Sequence, residues 1–220
     1  MHFPATELVL DANGAVYHLG LQPEQLAQRV ILVGDQDRVV KISRFFDQID
    51  SRVQHREFVT HTGTYKGKRI TVLSTGIGTD NIDICMAELD ALINIDLKTR
   101  TQKDKQRSLE IVRIGTCGML QADMPIHSFV LSTHALGLDN IAHFYPIQFS
   151  LNEQMLLNEV LSQVSFPKGV NPYLSEAHPE MVNKLNSTKV RKGITVTSSG
   201  FYGPQGRSLR LASKMPDIHL

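Results

Sequence analysis

Two arginines and three glycine-marked junctions are the residues with the clearest capacity for chemistry. Gly34, the pair Gly76 and Gly78, and the pair Gly115 and Gly118 each follow a short apolar run. In open α/β sheets, ligand chemistry concentrates at the carboxyl ends of strands. Gly34-Asp35 opens a helical pattern whose first turn holds Arg38, and a helix N-terminus offers phosphate free N–H groups and a favourable dipole. Arg113 lies two residues before Gly115 in a run that reads as a buried strand. An unpaired buried guanidinium is costly, and a bound oxyanion would satisfy it through its planar fork. Spacing leaves two alternatives open: Arg38 also suits a plain surface position, and Arg113 a structural ion pair.

Other chemistries are excluded by pattern. In the run from Ser74 to Asn81, the third glycine of a dinucleotide fingerprint falls on Asn81, and no Walker lysine follows any of the glycines. Nine histidines lack HExxH or His-x-His spacing, and order alone does not reveal a Ser-His-Asp set. Cys85 and Cys117 have no CxxC or His-spaced partners, so they are expected as reduced core residues, with neither a zinc site nor a disulfide framework. No metal site is expected.

The elements that must position these residues follow from hydrophobic periodicity. Residues 29–34 read as a strand and 37–46 as a helix, with apolar positions 39, 40, 42, 45 and 46 on one face. Residues 57–65 and 68–74 read as a hairpin across a Lys-Gly turn, and 79–95 as a helix. The stretch 98–107 carries five basic residues and reads as a solvated connection. Strands are expected at 109–114, 128–133 and 193–197, and an amphipathic helix at 151–164. The sum is an α/β fold with a mixed central β-sheet flanked by helices. The 220 residues, 41% hydrophobic and 20% charged, are expected to form a single domain over 1–220. With 23 Lys+Arg against 22 Asp+Glu, the balance calls for neither nucleic acid nor an anionic membrane, so any anion site must be local. The apolar runs fall far short of the roughly 20 residues of a membrane span. Residues 1–13 carry Glu7 and Asp11 and no basic or apolar leader pattern, so a cytoplasmic protein is expected.

Taken together, these segments resemble the nucleoside phosphorylase-I family, within it the uridine phosphorylases most closely. Tyr17-His18-Leu19-Gly20-Leu21 resembles the family's N-terminal segment, and Gly34-Asp35-Gln36-Asp37-Arg38-Val39 its phosphate loop. Arg56-Glu57-Phe58, Ser74-Thr75-Gly76-Ile77-Gly78 and Arg113-Ile114-Gly115-Thr116-Cys117-Gly118 match three further segments. Phe201-Tyr202-Gly203-Pro204-Gln205-Gly206-Arg207 is similar to the uridine phosphorylase F-Y-x-x-Q-x-R segment, with the usual Pro-Gly order reversed.

The resemblance implies a transferase of the pentosyl type, acting in nucleoside salvage. It would cleave a pyrimidine nucleoside reversibly with inorganic phosphate as co-substrate, giving free base and ribose 1-phosphate through an oxocarbenium-like sugar. It implies phosphate contacts from Gly34, Arg38, Arg113 and Thr116, and from Arg56 of a neighbouring subunit. His18 would reach the ribose 5′-hydroxyl across a dimer interface, which implies a homo-oligomer, a hexamer built from dimers. Phe201 would pack on the nucleoside. Gln205 would donate to a pyrimidine carbonyl and accept from N3–H, and Arg207 would stabilise charge on the leaving base. Arg113, Thr116 and Arg207 are thus the catalytic candidates.

Departures from the family pattern shape further expectations. The family's Glu-Met-Glu ribose clamp and the long C-terminal helix lie beyond the Q-x-R strand, and residues 208–220 contain neither. The sequence therefore reads as C-terminally incomplete. Asn81 replaces a serine of the monovalent cation site found in some uridine phosphorylases, while Glu57 and Ile77 persist, so no cofactor is expected and potassium is doubtful. Rival readings are a purine nucleoside phosphorylase, disfavoured by Gln205 and Arg207; a hydrolytic nucleosidase, which has no need of the Arg38/Arg113 pair; and a non-catalytic nucleoside-binding protein.

Overall fold

The computed structural model of the chain describes residues 1–216. It packs as two compact units, Met1–Thr116 and a second from Cys117 onward, where the sequence suggests one domain. Each unit gathers its own apolar clusters, which is the physical reason for the division.

The first unit is built on β1 (Arg29–Val33), whose β-branched run favours a pleated, buried strand. There follow α1 (Gln36–Ser43), β2 (Gln48–His55), β3 (Phe58–Tyr65), β4 (Lys68–Ser74), α2 (Thr79–Asn94), the two-residue strands β5 (Ile95–Asp96) and β6 (Thr101–Gln102), and β7 (Glu110–Ile114). Five of these strands form a mixed sheet in the order β2-β3-β4-β1-β7, with β1 parallel to both β4 and β7. The alternation of side chains along a strand sorts the two faces. Val30 and Leu32 join Phe58, Leu73 and the α2 residues Cys85, Leu89 and Leu92 in one cluster. Ile31 and Val33 join Val72, Val59 and the α1 residues Val39 and Ile42 in another. Helices therefore cover both faces of the sheet.

Three expectations are corrected here. Helix α1 stops at Ser43 rather than reaching 46, and Phe46 instead turns into the α1-side cluster. Strand β2 was not anticipated, because its residues QIDSRVQH alternate between exposed and half-buried with little apolar content. The basic stretch 98–107 folds back on the end of α2 instead of forming a plain solvated connection. Lys103 Nζ donates to Ile93 O at 3.1 Å and Arg107 N to Asn94 Oδ1 at 2.8 Å, a favourable place for cations because the last helical carbonyls lack partners.

His61 of β3 is buried, with Nδ1 2.8 Å from Ser43 Oγ. Burial, and secondarily the Arg52 charge, hold its pKa below the ordinary value. An unfolded histidine titrates near 6.5, so in acid the unfolded chain takes up a proton that the folded chain refuses. Stability from this site is present above that value and is lost as pH falls through the lowered folded one. His61→Asn is expected to flatten the fall in urea midpoint between neutral and mildly acidic pH. An unchanged slope would refute the assignment.

In the second unit, β8 (Phe129–Gly137) lies between β10 (Val190–Thr197), parallel to it, and β9 (Tyr173–Glu176), antiparallel. α3 (Leu151–Gln163) starts with a capping box in which Ser150 and Glu153 satisfy each other's backbone N–H groups. Its Leu156, Leu157 and Val160 pack with Leu136 and Leu174. α4 (Pro179–Leu185) and β9 escape sequence reading because each is only a few residues long.

Candidate active site

Because β1 is flanked by two parallel partners in register, Val33 against Ser74 and against Ile114, the three strands end on one edge of the sheet. Three glycine junctions that are remote in sequence are thereby brought together. A Cβ placed on Gly34 would lie 3.4 Å from Arg38 Nη2, 3.9 Å from Arg113 Nη2 and 3.5 Å from Gly76 O. Both guanidinium groups thus converge on the bare α-carbon of Gly34. Arg38 Nη1 donates to Ile114 O at 3.3 Å. Among the described residues neither arginine meets a carboxylate. Two like charges this close repel, and a multivalent oxyanion between them would reverse the sign.

Two details differ from the sequence reading. Arg113 is exposed rather than buried, because β7 is an edge strand of its sheet, so the argument from a stranded buried charge is replaced by convergence with Arg38. The start of α1 is also partly occupied: Asp35 is its N-cap and accepts from Asp37 N at 3.0 Å. The anion-binding capacity therefore rests more on the arginines than on the helix terminus. A Cβ on Gly115 would fall 2.5 Å from Arg113 Nη1, so glycine there gives the guanidinium its room. Thr116 follows in an exposed position.

His18 and Arg56 form a second group in the first unit. Arg56, at a positive φ of 53° in the β2–β3 turn, places its guanidinium 4.9 Å from the Tyr17 ring centre and donates to Tyr17 Oη at 3.0 Å. Tyr17 meets His18 edge to face at 5.1 Å. His18 Nδ1 lies 2.6 Å from Glu88 Oε1. Sequence reasoning missed Glu88; its one signal is an acid within the apolar helical run CMAELDAL.

In the second unit, the segment from Phe201 to Arg207 folds on itself around the turn Gly203–Gln205. Arg207 lies over the Phe201 ring with its guanidinium carbon 4.1 Å from the ring centre, and Nη1 donates to Phe201 O at 2.7 Å and to Gln205 Oε1 at 2.5 Å. The Gln205 oxygen expected to accept from a base N3–H is thus already engaged by Arg207. One lone pair remains on it, and the Nε2 donors stay available. Cys117 is exposed rather than part of the core.

Of the residues expected around a monovalent cation, two are joined to each other in this structure. Asn81 Nδ2 donates to Ile77 O at 3.5 Å. Among the described residues no cluster of His, Cys, Asp or Glu could hold a metal ion, and no helix is long and apolar enough to cross a membrane.

The mixed sheet, with helices on both faces and the strand ends at Gly34, Gly76 and Gly115 brought to one edge beside two guanidiniums, defines an α/β protein. The profile of the phosphorylase superfamily matches residues 28–218, and the chain belongs to that family. It is 30% identical over 205 residues to the uridine phosphorylase of Thermococcus kodakarensis, covering 93% of this chain and 63% of that one. It is 35% identical over 195 residues to the uridine phosphorylase of Escherichia coli, covering 87% and 64%. The chain therefore spans less than two thirds of the length of these relatives. Among solved structures it matches a Trypanosoma brucei nucleoside phosphorylase, described as showing uridine phosphorylase activity, with a TM-score of 0.82, 32% identity, and coverage of 92% and 72%.

Proposed function

We propose that this chain carries the phosphate-binding and base-binding parts of a uridine phosphorylase, a pentosyltransferase of nucleoside salvage. The observation that carries this reading is the convergence of Arg38 and Arg113 on Gly34 with no carboxylate between them among the described residues. A hydrolytic nucleosidase, whose nucleophile is water, would have no use for it. In the proposed reaction a phosphate oxygen forms the new bond to C1′ while the N-glycosidic bond breaks and its electron pair leaves with the base. Arg38, Arg113, Gly34 and Thr116 hold and desolvate the phosphate, with Arg56 reaching the site from a neighbouring subunit. Phe201 packs on the nucleoside, Gln205 Nε2 donates to a uracil carbonyl, and Arg207 stabilises negative charge on the departing base. His18 serves the ribose 5′-hydroxyl across a dimer interface of a hexamer. Inorganic phosphate is co-substrate, and the reading includes no resident cofactor and a cytoplasmic location. The purine alternative is disfavoured because an amide donor and a cation suit a uracil edge. Uracil release from uridine is expected to require phosphate and to exceed base release from inosine by about 10²-fold in kcat/KM, below the roughly 10⁴–10⁵ that fully buried polar recognition reaches, because Gln205 and Arg207 are exposed. Faster cleavage of inosine would promote the purine reading, and cleavage without phosphate the hydrolytic one.

A further inference from the structure

Glu88 makes more polar contacts to one short segment than any other carboxylate described. Its Oε1 and Oε2 accept from His18 N at 2.9 and 3.1 Å, and Oε2 accepts from Leu19 N at 2.8 Å. Backbone N–H groups can only donate, so the carboxylate acts here as acceptor. The His18 Nδ1 that lies 2.6 Å from Oε1 must therefore carry a hydrogen and donate it. We propose that Glu88 is a positioning residue that fixes His18 as its Nδ1–H tautomer and so presents Nε2 as a hydrogen-bond acceptor for a hydroxyl of the substrate. The proposal rests on the nucleoside reading above.

The rest of the segment allows His18 little freedom to choose otherwise. Val16, Leu19 and Leu21 are fully buried on either side of it. Gly20, at a φ of +65°, closes the turn by donating to Val16 O at 2.9 Å, and a Cβ there would meet His55 Cβ at 3.0 Å. His55 Nδ1 donates to His18 O at 3.0 Å. With the backbone held from both sides and Nδ1 engaged, the exposed third of the side chain is left to Nε2. A neutral ring with Nε2 bare accepts from a hydroxyl, gains nothing from a 5′-deoxy sugar, and is repelled by the acceptor-only oxygens of a 5′-phosphate. The substrate class this selects is the free nucleoside bearing a 5′-hydroxyl. This differs from the usual balance in water, where a neutral imidazole carries its hydrogen mainly on Nε2.

Long-range 1H–15N correlation on the labelled 220-residue chain at mildly alkaline pH reads the tautomer directly, with His18 signals assigned by their loss in His18→Gln. The expected pattern is a protonated Nδ1 and a bare Nε2 in the wild type. It should be reversed in Glu88→Ala, which removes both acceptor oxygens. Kinetically, Glu88→Ala should bring the uridine to 5′-deoxyuridine ratio of kcat/KM down by about 10-fold, the scale of one hydrogen bond. A wild-type His18 protonated on Nε2 alone overturns the proposal even if Glu88→Ala does not fold. So does a folded Glu88→Ala with unchanged tautomer or unchanged ratio. Cleavage of uridine without phosphate would sink the phosphorylase reading, while the tautomer pattern alone decides what Glu88 does.

Discussion

Arg113→Ala and Arg38→Ala are each expected to lower kcat/KM for phosphate by about 10²-fold or more and to raise its KM, without a comparable change in uridine affinity. Both guanidiniums approach the α-carbon of Gly34, so each contributes charge to the same oxyanion rather than to separate ligands. Removing one takes away one of the proposed arginine contacts to the phosphate, whose planar fork water replaces poorly. The double variant should cost less than the product of the single losses, because residues acting on one group are not additive. Arg113→Lys should recover part of the loss, since an ammonium restores the charge without the planar fork. Initial rates across a phosphate titration check this. Unchanged phosphate dependence in both alanine variants would remove the phosphate-site assignment, and with it the observation that carries the proposed function.

How far the site was legible depended on whether its parts are carried by backbone pattern or by long-range contact. The junctions at Gly34, Gly76 and Gly115 could be read because a strand run ending in glycine is a local signal, and the parallel pairing of β1 with β4 and β7 then brings them to one edge. That Arg38 and Arg113 converge could not be read, because 75 positions separate them and only the register of β7 against β1 aligns them. Burial at strand ends was misjudged for the same reason: nothing local says that β7 lies at an edge, so Arg113 was expected inside. Strand β2 was hidden by its own polarity. Its alternating residues lack the apolar face that marks a half-buried strand, and pairing with β3 forms it instead. The contact between Arg207 and Gln205 was invisible because it depends on a turn that closes between them at Gly206, in the left-handed region with φ 77°. Glu88 is a like case, 70 residues from His18, joined to it only once α2 packs against the N-terminal segment.

Gly63→Ala is expected to be the most destabilising single methyl that can be added to the first unit. Gly63 lies in β3 opposite Ile49, next to the irregularity where the β2 register shifts between Ile49 and Ser51. A Cβ there would stand 2.2 Å from Gln48 O, 2.7 Å from Phe46 Cδ2 and 3.0 Å from Ile49 Cα. Two of the three are backbone atoms, which cannot move aside as a flexible side chain can. The third belongs to a ring packed against the Val33, Val39 and Val72 cluster. Relief must come from separating β2 from β3 or from expelling Phe46, and overpacking without an outlet costs about 3 kcal/mol or more. Gly193→Ala is the matching control: it too adds a methyl within a strand, at β10, but nothing lies within 4 Å of the new atom, so a change of no more than about 0.5 kcal/mol is expected. Urea unfolding followed by far-ultraviolet circular dichroism compares the two. If Gly63→Ala loses no more stability than Gly193→Ala, the β2–β3 pair is slack, and the close approach at Gly63 does not hold in solution.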